Sequence, residues 1–210
     1  MKSILHDQFR VKVLVIGYDN RFGHNRAEGF EDYVRYGHEM GMQVLRGDTE
    51  MMADGNKAVS SSEIRLLLSE KGRVDMMPQC LTRPYMFSGK VMPGEHIGHQ
   101  LGFPTANLEP LCKEKLIPAP GVYAVWATLE DGKILAAMMN IGTRPTFEGK
   151  RQTLEVNILD FDGNLYGQTV TISFVARLRE ERKFESPEAL VAQLKEDQDN
   201  VIKLLNTIRQ

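Results

Sequence analysis

The chain is organised around ten residues, Gly98-His99-Gln100-Leu101-Gly102-Phe103-Pro104-Thr105-Ala106-Asn107. Two glycines four positions apart, followed by a proline, are unfavourable inside a helix or a central strand, so a loop is predicted. Glycine leaves backbone N–H groups accessible to phosphate oxygens, and Thr105 and Asn107 add hard oxygen donors of the kind that Mg²⁺ prefers. The stretch indicates a nucleotide site, and the alternative is an ordinary set of turns.

Glycine-bearing turns continue on both sides of this loop, in Gly89-Lys90-Val91-Met92-Pro93-Gly94 and in Pro118-Ala119-Pro120-Gly121-Val122-Tyr123. From about Arg83 onward, turn signals recur about every 8–12 residues between short apolar segments, which is typical of an all-β barrel or sandwich. We predict a meander in which the hairpin turn Asp131-Gly132 joins two strands and Asp162-Gly163-Asn164 joins two more. These strands cover residues 122–129, 134–140, 154–161 and 169–175.

A C-terminal helix is predicted after the strands. Ser186 has the properties of an N-cap and Pro187 is suited to the first helical position. An apolar stripe along this helix can cover one side of a barrel. The stripe consists of Leu190, Leu194, Val201, Leu205 and Ile208.

The first 80 residues have a different pattern. Residues 11–16 form an almost unbroken apolar run that is typical of a strand buried on both faces of a parallel sheet. A helix with Asn25 as its N-cap and a second strand at residues 42–45 would complete a βαβ unit. Ser60 and Glu63 have the spacing of a capping box for a further helix that ends at Gly72. Its serine-rich start is either a well-capped helix end or an anion site.

Composition and net charge limit the classes of function that the chain can have. With 42% hydrophobic and 26% charged residues among 210, the chain is predicted to be globular, as one large or two small domains. The net charge of −2 argues against nucleic acid as the main partner. We predict a cytoplasmic protein with no membrane partner and with Cys80 and Cys112 as free thiols, because neither a signal-like amino terminus nor a long apolar stretch is present.

The glycine loop carries a resemblance. The pattern Gly89-x-Val91-x-x-Gly94-x-x-x-Gly98-x-x-Leu101-Gly102-Phe103-Pro104-Thr105-Ala106-Asn107 resembles the riboflavin kinase family, in the form found in bacterial bifunctional riboflavin kinase/FMN adenylyltransferases. Similar segments continue to about residue 200, at residues 121–123, 140–147, 155–161, 165–167 and 178–184. The resemblance implies that residues 81–210 are an antiparallel riboflavin kinase β-barrel with a C-terminal helix, which makes FMN from riboflavin and ATP with Mg²⁺.

A weaker resemblance lies upstream. Residues 17–23 and 60–65 look like the later half of the adenylyltransferase domain of the same enzymes, although Asn20 stands where that family usually has Phe. Residues 1–80 are therefore expected to be an incomplete, partly Rossmann-like α/β segment without adenylyltransferase activity. We expect an apolar face or an open strand edge there, which either pairs with another chain, is covered by other parts of this chain, or belongs to a longer natural protein, the alternative that we favour. A fragment of residues 81–210 is expected to remain soluble and to make FMN. The tetrapeptide His96-Ile97-Gly98-His99 is a chance match to a nucleotidyltransferase motif, because no helix can follow it.

The resemblance also implies roles for individual residues. Glu155 would be the general base, although a strand carboxylate can also simply face solvent, and Thr105 and Asn107 would hold Mg²⁺. A non-catalytic flavin- or nucleotide-binding module is the alternative function. No role is assigned to His99, where the family often has Arg, or to Asn157, where bacterial relatives often have His. The predicted ligand-binding residues are Gly94, Gly98, Leu101, Gly102, Phe103, Pro104, Thr105, Asn107, Tyr123, Asn140, Arg179, Lys183 and Phe184.

Overall fold

A computed structural model describes residues 1–17, 20–22, 26–52, 55, 58–94, 102–146 and 149–208, except for the side chains of 144–146 and 149–151. The chain forms two compact units, Met1–Val59 and Ser60–Gln210. The predicted domain boundary at residue 80 therefore lies 20 residues inside the second unit. None of the helices in the described ranges is long and apolar enough to cross a membrane.

The first unit contains the predicted βαβ arrangement. Strands β1 (Val13–Ile16) and β2 (Gln43–Arg46) pair in parallel, and helix α1 (Phe30–Glu39) connects them. A short π-helical segment, Lys2–Gln8, precedes β1. Helix α1 begins at Phe30, where the side chain of Asp32 accepts a hydrogen bond from the Gly29 N–H at 3.0 Å. The predicted cap, Asn25, lies outside the described residues.

Strand β1 is not buried on both faces, which corrects the prediction made from its apolar run. Ile16 is only 4% exposed, but Val13 and Val15 are 49% and 63% exposed. Leu45 on the paired strand is 41% exposed. The two-stranded sheet therefore presents the open apolar face that we predicted for this part of the chain.

The second unit begins with two helices, α2 (Ser61–Ser69) and α3 (Met77–Leu81). The Ser60 hydroxyl accepts the Glu63 N–H at 3.2 Å, so the predicted cap is present. Val74 and Met77 are fully buried, and the Ala119 N–H donates to the Leu68 carbonyl at 2.8 Å. These contacts attach the helical segment to the strands that follow.

Six antiparallel strands close into a barrel in the order β3-β4-β7-β6-β5-β8. Residues 154–158 do not pair with β8, which corrects the predicted meander. Strand β7 already has β6 on one edge and β4 on the other, so β8 pairs with β5 and β3 and closes the barrel. The strands are β3 (Met86–Met92), β4 (Ala106–Pro110), β5 (Gly121–Thr128), β6 (Ile134–Thr146), β7 (Gly149–Ile158) and β8 (Thr169–Arg179).

The long C-terminal helix α4 (Pro187–Ile208) covers the outside of this barrel, as predicted. The Ser186 hydroxyl accepts the Ala189 N–H at 3.2 Å and so caps the helix. Val201 and Leu205 of α4 are at most 1% exposed and share a core cluster with Val122 and Met138 on the outer barrel wall. Burial of each such side chain contributes roughly 1.5–3 kcal/mol, which holds α4 beside the wall where the candidate site lies.

Candidate active site

A row of polar side chains crosses three neighbouring strands. Asn107 on β4 pairs with Glu155 on β7, and Glu155 pairs with Asn140 on β6. Residues directly opposite each other in adjacent strands project from the same face of the sheet. The Glu155 carboxylate therefore lies between two amide side chains, and all three residues are half-buried.

Glu155 and Asn140 of this row line a cavity of about 320 Å³ between the barrel wall and α4, which we call the helix-side cavity, whereas Asn107 is not part of its lining. Leu190 and Leu194 of α4 form its apolar side, and polar groups come from the strands and from the segment after β8. The full lining is Phe103, Thr105, Val122, Met138, Asn140, Glu155, Asn157, Arg179, Glu181, Arg182, Phe184, Leu190 and Leu194. The cavity thus brings Glu155 together with predicted residues from β6, β8 and the glycine loop.

A second cavity of about 400 Å³, the loop-side cavity, lies beside the first. Gly163 and Asn164, in the turn signal that does not form the predicted hairpin, contribute to its wall. Its lining comprises Val91, Pro104, Thr105, Ala106, Val156, Ile158, Phe161, Gly163, Asn164, Leu165 and Tyr166. Thr105 lines both cavities, so two ligands bound in them would meet at this residue.

The glycines of the loop fit this arrangement where they are described. A Cβ on Gly94 would lie 1.9 Å from Asn107 Nδ2, so only glycine allows Asn107 to hold its place next to Glu155. Gly102 has a φ of +80°, a conformation that other residues rarely adopt. Gly98 and Leu101 lie outside the described residues, so their predicted roles in ligand binding stay predictions. His96 and His99, to which no role is assigned, also lie outside them.

Asn157 fixes the other side of the loop. Its side chain is only 6% exposed, and Nδ2 donates a hydrogen bond to the Pro104 carbonyl at 2.7 Å. Asn157 lies two residues after Glu155, so both side chains project from the same face of β7. The sequence analysis assigned this residue no role, because bacterial relatives often have His there, and its partner lies 53 residues away in the chain.

Arg179 is bound to the helix. Its Nε donates to both carboxylate oxygens of Asp197 at 3.1 and 3.0 Å, and Nη2 donates to Oδ2 at 2.8 Å. Asp197 is 2% exposed and also accepts a hydrogen bond from Gln193 at 2.9 Å. A buried carboxylate needs such partners, so this pair ties the end of β8 to α4. Arg179 reaches the cavity with its charge already balanced by Asp197.

An aromatic side chain closes one end of the helix-side cavity. The guanidinium carbons of Arg179 and Arg182 lie 5.6 and 4.9 Å from the ring centre of Phe184. Both distances are within the range of cation–π attraction. Phe184 lines the cavity, whereas Lys183 is exposed and is not part of the lining, so their predicted roles in flavin binding stay predictions. Arg182 lines it instead, and the sequence analysis missed that residue.

Tyr123 does not reach either cavity, and we correct its assignment as a ligand-binding residue. Its ring is fully buried inside the barrel and packs edge-on against Phe174 at 5.3 Å between ring centres. The hydroxyl donates to the Ala119 carbonyl at 2.5 Å, and burial raises the pKa of Tyr123 to about 12. Alternation along β5 explains the placement, because Val122 faces outward and its neighbour must then face inward.

The donor chemistry near Thr105 fits a hard cation. Its hydroxyl, the Asn107 amide and the Glu155 carboxylate supply oxygen donors of the type that Mg²⁺ takes together with substrate phosphates. Among the described residues, no group of three or more His, Cys, Asp or Glu side chains could hold a metal alone. Among the described residues, neither Cys80 nor Cys112 forms a disulfide bond, as predicted.

Comparisons with known proteins agree with this geometry. A family model described as riboflavin kinase matches residues 81–205, and one described as FAD synthetase matches residues 1–63. The crystal structure of a macrolide-efflux protein from Streptococcus pneumoniae matches with a TM-score of 0.78 and 34% identity. That match covers 90% of this chain and 59% of the other.

Curated relatives are longer than this chain. The bifunctional riboflavin kinase/FMN adenylyltransferase of Escherichia coli strain K12 is 35% identical over 198 residues, which make up 94% of this chain and 62% of that protein. The Bacillus subtilis protein with the same description is 36% identical over 164 residues, 77% of this chain and 51% of that protein. The chain therefore spans about half to three fifths of the length of these relatives.

Proposed function

Since the chain belongs to the riboflavin kinase family, we propose that it transfers the γ-phosphate of ATP to the ribityl 5′-hydroxyl of riboflavin, giving FMN and ADP. The observation that carries the proposal is that Glu155, which pairs with Asn107 and Asn140 on the neighbouring strands, lines a cavity that shares Thr105 with a second cavity. Phosphoryl transfer requires two ligands in line and charge neutralisation between them. Two adjoining cavities with a carboxylate near their junction meet that requirement.

The walls of the cavities support an assignment of the two substrates. Met138, Leu190, Leu194 and Phe184 give the helix-side cavity the apolar and aromatic surface that a flat ring system needs. Its volume of about 320 Å³ is within the range of small-molecule sites. We assign riboflavin to this cavity and ATP to the loop-side cavity, so that the ribityl chain and the γ-phosphate meet at Thr105.

Glu155 is assigned the role of general base. Its carboxylate would accept the proton of the 5′-hydroxyl while the hydroxyl oxygen bonds to the γ-phosphorus and the bond to the ADP oxygen breaks. The amides of Asn107 and Asn140 on either side would keep the carboxylate oriented towards the cavity. When bound with ATP, Mg²⁺ would neutralise phosphate charge, and the Thr105 hydroxyl and the Asn107 amide oxygen are the groups that would hold it.

Arg179 and Phe184 are assigned to flavin binding. Because Asp197 balances its charge, Arg179 would act mainly by holding the segment after β8 over the flavin ring. Phe184 would stack on that ring, and the guanidinium of Arg182 would hold the Phe184 ring in place through the cation–π contact. Lys183, exposed on the same segment, stays a candidate for contact with phosphate.

Two other functions are outcomes of the same test. FAD formation would require FMN adenylyltransferase activity, of which this chain carries only the match at residues 1–63. A flavin-binding module without turnover is the second alternative. The Glu155 carboxylate speaks against it, because it lines the helix-side cavity where a general base is needed.

The test is an incubation of the purified chain with riboflavin and Mg-ATP, followed by chromatographic separation of FMN and FAD. We expect FMN to accumulate and FAD to be absent. Accumulation of FAD would assign the second activity as well. Saturable riboflavin binding without either product would replace the kinase with the binding module, and the Glu155→Gln variant serves as the matched control for contaminating kinase activity.

A further inference from the structure

We infer that Asn157 is a positioning residue, which holds the peptide between Pro104 and Thr105 in the orientation that lets Thr105 serve both cavities. The inference rests on the proposed kinase function and deepens it. It assigns a role to a side chain that touches neither reacting atom. It also gives a reason for the buried amide on β7.

The hydrogen bond of Asn157 is well placed for this role. The donor Nδ2 lies 2.7 Å from the Pro104 carbonyl oxygen, and the side chain is 6% exposed. A short bond with little access to water persists better than an exposed one, because water cannot compete for the carbonyl. The Pro104 carbonyl therefore has a fixed direction relative to β7.

Fixing this carbonyl also fixes Thr105. No cis peptide bond occurs among the described residues, so the Thr105 N–H points opposite to the Pro104 carbonyl and away from Asn157. The ring of Pro104 restricts its φ, and Gly102 provides the left-handed turn two residues earlier. The loop thus has few remaining ways to turn Thr105, and Asn157 selects one of them.

We call the hydrogen bond from Asn157 to the Pro104 carbonyl the clamp, and strand β7 connects it to the proposed base. Glu155 and Asn157 are two residues apart on the same face, so their spacing is set by the strand itself. Glu155 aligns with Asn107, while Asn157 holds the loop that enters β4. A shift of the loop would therefore change the distance between Thr105 and the carboxylate, to which phosphoryl transfer is sensitive.

Two substitutions test the clamp. Asn157→Leu has nearly the same volume but no donor, and Asn157→Asp keeps the shape while an ionised oxygen faces the Pro104 carbonyl. We expect the KM for riboflavin and the KM for ATP to rise together in both variants, because Thr105 lines both cavities. We also expect kcat to fall by roughly tenfold to a hundredfold, the range of a small misplacement at a reacting centre.

The matched control is Ser88→Ala, which removes the 2.8 Å hydrogen bond between Ser88 and Thr171 on β3 and β8, outside both cavity linings. A loss of stability alone lowers the amount of active protein and leaves both KM values unchanged, and this is the result expected for the control. Unchanged KM values in both Asn157 variants would overturn the inference.

A second measurement does not depend on activity. Amide hydrogen exchange, read by mass spectrometry on the peptide that contains residues 102–107, should become faster in Asn157→Leu and stay the same in Ser88→Ala. Equal exchange in the wild type and in Asn157→Leu would show that the loop is held by other contacts and would reject the clamp. If the wild type makes no FMN, the kinase proposal fails, and the exchange data still decide whether Asn157 holds the loop.

Discussion

Similar apolar strands are exposed to different extents in the two compact units. Val15 on β1 is 63% exposed, whereas Val125 on β5 is fully buried. Both are valines in apolar strands, but β5 belongs to a closed barrel in which every strand has two neighbours. An apolar run therefore predicts a strand, and whether that strand is buried depends on the layer that the rest of the fold supplies.

The strongest test of this comparison is to cut the chain at two places. A fragment of residues 60–210 should keep its barrel. A fragment of residues 81–210 lacks the helical segment that contains the fully buried Val74 and Met77. Losing two fully buried side chains should lower the free energy of unfolding by roughly 3–6 kcal/mol. Urea denaturation of both fragments measures the difference.

This result would revise the sequence-based expectation that residues 81–210 suffice. The 60–210 fragment is the matched control, since it differs only by the helical segment in the same unit. If both fragments unfold at the same urea concentration, residues 60–80 are dispensable for the barrel, and the boundary at residue 80 is the better description.

The next largest effect is expected at the proposed base. Glu155→Gln keeps the shape of the side chain but cannot accept the proton, so kcat should fall by about two to four orders of magnitude. The loss should be the same in the full chain and in residues 60–210, because the barrel unit holds the whole proposed site. Steady-state FMN formation gives kcat, and a near-normal rate would remove Glu155 from the mechanism.

A pair of valine substitutions compares the two units directly. Val125→Ala leaves a cavity inside the barrel and should lower the free energy of unfolding by about 2 kcal/mol. Val15→Ala removes atoms that already contact solvent and should change it by less than about 0.5 kcal/mol. Thermal or urea unfolding of the full chain measures both. A large loss for Val15→Ala would mean that its face is covered in solution.

A smaller effect is expected in the glycine loop. Thr105→Ala and Asn107→Ala each remove an oxygen donor, so the Mg²⁺ concentration for half-maximal activity should rise several-fold in each. The measurement is a Mg²⁺ titration of FMN formation at saturating ATP. Unchanged titrations in both variants would assign the loop a purely structural role.

The sequence predicted most of the barrel because its strands are marked by local signals. Alternation in β5 and the hairpin turn at Asp131-Gly132 are features of neighbouring residues, and so is the cap at Ser186. Strand order is not local. The turn signal at residues 162–164 gave the wrong partner for β7, since pairing depends on which edges the earlier strands already occupy.

The candidate site shows the same limit. Glu155, Thr105 and Phe184 were predicted by resemblance, and the structure brings them to one cavity. Asn157 was noted without a role and Arg182 was missed, because their contacts with Pro104 and Phe184 are not contained in any local pattern. Tyr123 was assigned to the wrong side of β5, although the alternation of that strand with Val122 outward could have corrected it.

The last prediction tests the interior of the barrel through the pH dependence of its stability. Burial raises the pKa of Tyr123 from its ordinary value of 10 to about 12, so the folded chain keeps this proton over an interval in which the unfolded chain loses it. The stabilisation is complete below pH 10 and is lost as the pH rises towards 12, by at most about 1.4 kcal/mol per pH unit.

Tyr123→Phe lacks the titrating group and should be less stable than the wild type at neutral pH by about 1 kcal/mol, because the Ala119 carbonyl loses its donor. The difference between the two proteins should therefore vanish and then reverse in sign when urea denaturation is repeated between pH 10 and 12. A constant difference would mean that the Tyr123 hydroxyl titrates in the folded barrel as it does in the unfolded chain.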